Sequence, residues 1–130
     1  CWVKTPGKCV IDDDVHTISH RLIRAGLVIF ASPMIMGFTS ALLKKLQDRL
    51  IPLLHPYIEL VHNESHHKKR YSSYPVLGLI LQPEKDTDDV DMKITTDIFH
   101  RFALNFKSEL KLIATTNQPT EEVCHAIDHI

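Results

Sequence analysis

Gly26-Leu-Val-Ile-Phe-Ala-Ser-Pro-Met-Ile-Met-Gly-Phe-Thr-Ser-Ala-Leu-Leu43 decides how the rest of the chain is read. It opens as an apolar run rich in β-branched residues, which favour strands. It breaks at Ser32-Pro33, passes through a short Met-rich loop with Gly37, and resumes at Thr39 with helical character. Strand, tight loop and helix form half of a parallel α/β unit, and ligands of such sheets sit beyond the carboxyl ends of the strands. The segment thus predicts the fold and points to the loop from Ser32 to Gly37 as the site. Ala25 to Leu43 holds no charged residue, and about 18 such residues make a candidate membrane span. Ser32, Pro33, Gly37, Thr39 and Ser40 interrupt it, so no span is expected.

The flanks extend the alternation. Asp12, Asp13 and Asp14 read as a helix start, where carboxylates complement the dipole. Val15, Ile18, Leu22 and Ala25 follow at helical spacing, with Arg21 and Arg24 near the end. After Thr39 or Ser40 as a cap, Leu43, Leu46, Leu50, Leu53 or Leu54, and Tyr57 form an apolar stripe that Pro52 and Pro56 must kink or divide. His62 to Tyr74 is polar and basic and reads as an exposed loop. Val76 to Leu81 is a second buried strand, and Gln82 to Asp89 an acidic loop. Val90, Ile94, Ile98 and Phe102 space a long helix, whose apolar face Phe99 and Phe106 widen. Leu110 to Ala114 is a third strand, and Pro119-Thr120-Glu121-Glu122 opens a last helix packed by Val123 and Ile127. The expectation is an α/β fold with parallel strands at Leu27 to Ala31, Val76 to Leu81 and Leu110 to Ala114, four flanking helices and right-handed crossovers.

Composition bounds the rest. A chain of 130 residues makes one domain. A formal charge of −1 with 24% charged residues gives no basic excess for nucleic acid or an anionic membrane. Three cysteines, an odd number, argue against a disulfide framework and for a reducing, cytoplasmic setting. The opening Cys-Trp-Val-Lys, with neither Met nor a basic leader, reads as the interior of a longer chain.

Three segments carry a family resemblance. Cys-Trp-Val-Lys-Thr-Pro-Gly-Lys-Cys-Val-Ile-Asp-Asp-Asp (Cys1 to Asp14), Ile-Phe-Ala-Ser-Pro (Ile29 to Pro33) and Ser-Ala-Leu-Leu-Lys-Lys-Leu-Gln-Asp-Arg (Ser40 to Arg49), in this order, resemble the flavodoxin-like NAD(P)H-dependent FMN reductase family. That family includes multimeric flavodoxins, quinone reductases and iron-sulfur flavoproteins. The likeness is clearest over Cys1 to Arg49 and beyond that follows the order of strands and helices. It implies a doubly wound flavodoxin-like sheet of strand order 2-1-3-4-5. The strands visible here would be the third, fourth and fifth, with the first strand, phosphate loop and second strand preceding Cys1. The domain is therefore expected to be incomplete at its amino terminus and to expose an unpaired apolar edge along Leu27 to Ala31.

The resemblance also implies chemistry. FMN is the expected cofactor and NAD(P)H the co-substrate of an oxidoreductase, with hydride passing to the flavin and on to a quinone, metal ion or other small-molecule acceptor. No catalytic acid or base is implied. Ser32 and Pro33 match the flavin-contacting loop, which runs to Gly37. Ile35 falls where many members place a Tyr on the ring, and Met34, Ile35 and Met36 would form a polarizable bed for it. Gln82, and after it Thr115 and Thr116, are further flavin contacts at the ends of the next strands. A homodimer or homotetramer is expected, as in relatives. The alternatives are a flavodoxin-type electron carrier and a flavin-free scaffold of the same fold.

Other clusters read more plainly. His62, Glu64, His66 and His67 suit Zn²⁺ or Ni²⁺ by residue type, but adjacent histidines followed by Lys68, Lys69 and Arg70 predict a solvated loop. The basic stretch from His66 to Arg70 alternatively attracts an anion, such as a nicotinamide phosphate. Cys1 and Cys9 are too far apart in sequence for a Cys-x-x-Cys knuckle and read as free thiols; in the family a further cysteine often sits three residues before Cys1. Cys124 reads as packing, Trp2 as an anchor, and Asp86 to Asp91 as a solvated helix start rather than a Ca²⁺ loop. No metal site is expected.

Overall fold

Three runs of apolar, β-branched residues separated by helical spacing build a mixed α/β fold. The computed structural model describes residues 3–130; Cys1 and Trp2, with the roles read for them, lie outside the described residues. The chain runs α1 (Val15–Leu22), β1 (Leu27–Ile35), β2 (Phe38–Thr39), α2 (Ala41–Asp48), a 3-10 turn (Ile51–Leu53), β3 (Leu54–Val61), β4 (Glu64–Lys69), β5 (Val76–Gln82), α3 (Asp89–Asn105), β6 (Leu110–Thr115) and α4 (Thr120–Asp128). One sheet has the order β2-β1-β5-β6, and β3 with β4 makes a separate hairpin. β1, β5 and β6 are parallel, and β2 is a short antiparallel addition.

β5 is the middle of the parallel trio. Leu77, Leu79 and Leu81 are fully buried, and Phe30 pairs with Leu79 and Ser32 with Leu81 across the ladder. Phe30 meets the α3 rings Phe99 and Phe102 edge-on at 6.1 and 5.7 Å. Phe102 stacks on Phe106 at 5.5 Å, and Tyr74 closes the cluster against Phe106. On the other face of the sheet, α4 packs on β6, whose Leu112 and Ala114 are buried. There a Cβ on Gly78 would come within 3.2 Å of Leu112 and 3.3 Å of Ile29, so glycine sets how closely these strands pack. Ile29, Ala31, Pro33 and Ile35 are exposed on that face. The β1 half of the sheet is therefore open, although parallel sheets are ordinarily covered on both sides. Among the described residues the outer edge of β1 carries strand pairing only at Met34 and Ile35.

Four expectations change. β1 runs on through Ser32, Pro33, Met34 and Ile35, so the expected loop shrinks to a two-residue turn at Met36 and Gly37, with φ of 52° and 76°. Proline is tolerated in a strand with a neighbour on one side only, as β1 has at Pro33. The helix after Ser40 stops at Asp48, ahead of the 3-10 turn with Pro52, and Tyr57 lies in β3 instead of on a helical stripe. The polar stretch from His62 to Tyr74 opens with a hairpin turn and strand β4 instead of being a loop throughout. Its turn at His62 and Asn63, both at positive φ, has the backbone of a tight hairpin without the Asn-Gly sequence that signals one. Finally, α3 is rotated from the expected stripe. It buries Thr95, Phe99 and Ala103, while Val90, Ile94 and Ile98 are 61%, 50% and 40% exposed.

Polar contacts fix the ends of these elements. Ser40 caps α2, its Oγ accepting from the Leu43 amide at 3.3 Å. Asp88 and Asp91 form a capping box at the start of α3. The hairpin docks on the end of α3 through buried His66, whose Nδ1 lies 3.0 Å from Asn105 Oδ1 and Nε2 3.2 Å from Glu64 Oε2. Arg101 donates to Glu64 at 2.8 Å and Lys107 to Glu59 at 2.7 Å. His66 is thus a structural residue with both ring nitrogens engaged, not part of a solvated loop.

The rotation of α3 is directly testable. Phe99→Ala should lower unfolding free energy by about 3–5 kcal/mol, whereas Ile94→Ala on the same helix should change it by no more than about 0.5 kcal/mol. Urea unfolding of the two variants checks this; equal losses would place the buried face wrongly.

Candidate functional site

The parallel register ends with Pro33 opposite Gln82, and one residue past β6 the Thr116 amide donates to the Leu81 carbonyl at 2.9 Å. Here Ala31, Ser32, Pro33, Ile80, Gln82 and Thr116 line a recess of about 230 Å³. Three of the four sequence-selected positions on it, Ser32, Pro33 and Gln82, come from two strands, and Thr116 comes from the end of the third. Ala31 and Ile80, which the sequence reading did not single out, supply its apolar floor. Their alternation with core-facing Phe30 and Leu79 was the available signal.

Each side chain is held differently. Ser32 is buried; its hydroxyl donates to the Pro33 carbonyl at 2.8 Å and accepts from the Ser40 amide at 2.9 Å. It ties the end of β1 to the start of α2, so its role in the recess is to set the backbone. Gln82 is exposed at the end of β5. Thr115 is closed into the following loop, its amide donating to Gln118 Oε1 at 2.8 Å, and it does not line the recess.

The remaining expected residues stand elsewhere. Met34 is fully buried on the core face of β1, opposite to Pro33. Met36, 94% exposed, and Ile35 sit at the turn. Gly37 is required there, because a Cβ would fall 2.5 Å from Asp91 Oδ1 and the residue has positive φ. The Met36 amide donates to Glu84 Oε2 at 3.3 Å and Thr95 Oγ1 to the Gly37 carbonyl at 3.4 Å, which pins the turn to the start of α3. Residues 34–37 thus flank the recess without lining it.

Among the described residues, none on the walls of the recess is ionisable. It offers an apolar floor with one carboxamide and one hydroxyl, which suits one face and one polar edge of a flat heteroaromatic body. It does not suit general acid–base chemistry. Its volume is below the roughly 300–1,000 Å³ of ligand-enclosing pockets, so a guest would be covered on one side only.

Ionisable groups gather elsewhere. Asp13, not Asp14, supplies the helix-start contact, accepting from the Val15 amide at 3.0 Å, and it grips the Arg49 guanidinium through both oxygens at 2.5 and 2.8 Å. That bond holds the Asp13 carboxyl below its ordinary range. Arg49 Nη2 also lies 3.6 Å from Cys9 Sγ. Burial pushes the Cys9 thiol up, but hydrogen bonding from the Ile11 backbone and Arg49 outweighs it and leaves the thiol lowered. Among the described residues no group of three or more His, Cys, Asp or Glu is arranged to hold a metal ion, and no helix is long and apolar enough to cross a membrane.

No protein-family model matches the sequence, and no curated protein matches it.

The carboxylate pairs set an acid limit. Hydrogen bonding to Arg101 holds Glu64 below the usual glutamate value of 4.5, and Lys107 does the same for Glu59. A lowered folded pKa contributes stability that is present above the ordinary value and lost as pH falls through the folded one. The urea midpoint should therefore drop as pH goes from about 5 to about 3, and Glu59→Gln should flatten part of that drop. Identical slopes in the two proteins would remove this pair from the acid response.

Proposed function

We propose that this chain is an FMN-dependent NAD(P)H oxidoreductase of flavodoxin-like type, with the flavin ring at the recess beyond β1, β5 and β6. The same proposal takes these strands as the third, fourth and fifth of a doubly wound sheet. One observation carries it: Ser32-Pro33, Gln82 and Thr116, separated widely in sequence, line one recess at the carboxyl ends of parallel strands, where such sheets take their ligands. Bound FMN supplies hydride and electron transfer between a nicotinamide and a small-molecule acceptor. Ala31, Pro33 and Ile80 would pack on one ring face, the Gln82 carboxamide and Thr116 hydroxyl would meet its polar edge, and Ser32 would keep the strand end in place. A homodimer or homotetramer belongs to the same proposal, supported by the exposed apolar residues on the β1 half of the sheet.

The openness of the recess also favours a second reading, an electron carrier whose exposed flavin edge meets a partner protein. FMN fluorescence titration followed by steady-state NAD(P)H oxidation separates the two. Binding with turnover supports the reductase, and binding without turnover supports the carrier. Gln82→Ala should weaken FMN binding about five- to tenfold, the loss of one hydrogen bond. No binding at all would leave a flavin-free scaffold.

A further inference from the structure

A second concavity, of about 550 Å³, shares no lining residue with the recess. It lies between the loop before α1, α1 itself, the 3-10 turn and the end of the hairpin. Its polar lining is dominated by hydrogen-bond donors and cations. Arg70 donates from Nε to the Pro52 carbonyl at 2.9 Å and from Nη2 to the Leu54 carbonyl at 3.1 Å. These neutral acceptors fix the guanidinium without cancelling its charge, and neither Arg70 nor Lys8 has an ion pair among the described residues. His16 and His20 stand one turn apart on α1 and both face this space. Two more nitrogens on its walls, Arg49 Nε and His16 Nε2, are buried with no hydrogen-bond partner among the described residues. Among the described residues Asp12 is the one carboxylate on the lining; it is almost fully exposed, and its Oδ1 lies 3.9 Å from His16 Nε2, beyond hydrogen-bond reach. The Arg49 charge is already matched by Asp13.

The unsatisfied Arg49 Nε donor and the unmatched charges of Lys8 and Arg70 call for an acceptor-rich anion. The volume, within the range of small-molecule sites, leaves room for an organic body beside the anionic group. The Tyr71 ring and Pro52 give an apolar wall for an uncharged body. We propose that this cavity binds a small organic molecule carrying an oxyanion group, phosphate or carboxylate. Lys8 and Arg70 supply the charge, the α1 histidines supply further donors, and Tyr71 meets the organic part.

The test uses the full chain with pyrophosphate, adenosine monophosphate, citrate and adenosine as probes in isothermal titration. Saturable binding of the phosphates or of citrate, with adenosine at least tenfold weaker than its monophosphate, is expected. The preferred probe tells phosphate from carboxylate. Lys8→Gln, a change on an exposed loop residue, should weaken the preferred probe about tenfold, and Arg70→Gln at least as much. Because Cys9 lines the cavity and Cys124 does not, the bound probe should slow alkylation of Cys9 by iodoacetamide and leave Cys124 unchanged, as read by peptide mass. That readout needs no variant and separates this cavity from the recess. Absence of binding by all the anions, unaltered affinity in Lys8→Gln, or an unprotected Cys9 would each overturn the proposal.

Discussion

The parallel ladder between β1 and β5, unbroken from Leu27 opposite Val76 to Pro33 opposite Gln82, is the constraint on which the rest depends. It puts Phe30 beside Leu79 and so presents one continuous apolar face to α3. Burying a leucine or phenylalanine contributes roughly 1.5–3 kcal/mol, and Leu77, Leu79, Leu81 and Phe99 are all fully buried here. A one-residue slip of β5 would turn Leu77, Leu79 and Leu81 to the opposite face, away from Phe99 on α3. The register is therefore fixed by burial, and the hairpin, the capping box and the Ser32–Ser40 link only refine its ends.

The same ladder decides where polar groups can gather. Because the strands are parallel, their carboxyl ends lie together, and the last paired residues leave a shallow recess walled by β1, β5 and the loop after β6. Side-chain alternation divides the local chemistry: Met34 goes to the core while Pro33 and Ala31 face outward. The ionisable groups, by contrast, cluster in the cavity around Arg49 and Arg70, where turns rather than strands carry them. The molecule thus separates a recess lined by uncharged side chains from a cavity that Lys8, Arg49 and Arg70 line.

Much of the fold was legible because periodicity is a local signal. The three parallel strands, the four helices and the Ser40 cap follow from apolar runs, helical spacing and capping residues. The hairpin was not, because strand pairing gave His66 a buried place among Asn105 and Glu64 that a His-His-Lys-Lys sequence does not announce. The buried face of α3 is not legible locally because Ile94 and Ile98 are as apolar as Phe99, and only the position of Phe30 on the sheet decides which is buried. At the site, Ser32, Pro33, Gln82 and Thr116 were readable as residues at strand ends. The loop drawn from Ser32 to Gly37 was not, since Pro33 suggested a break where β1 continues to Ile35.

The most direct measurement is the map of backbone amide NMR shifts on adding FMN to the labelled chain. The expected result is a contiguous set of changes at Ala31, Ser32, Gln82 and Thr116, with the hairpin residues Leu60 and Glu64 unmoved. Shifts confined to the cavity around Arg70, or none at saturating FMN, would contradict a flavin site at the carboxyl ends of the parallel strands.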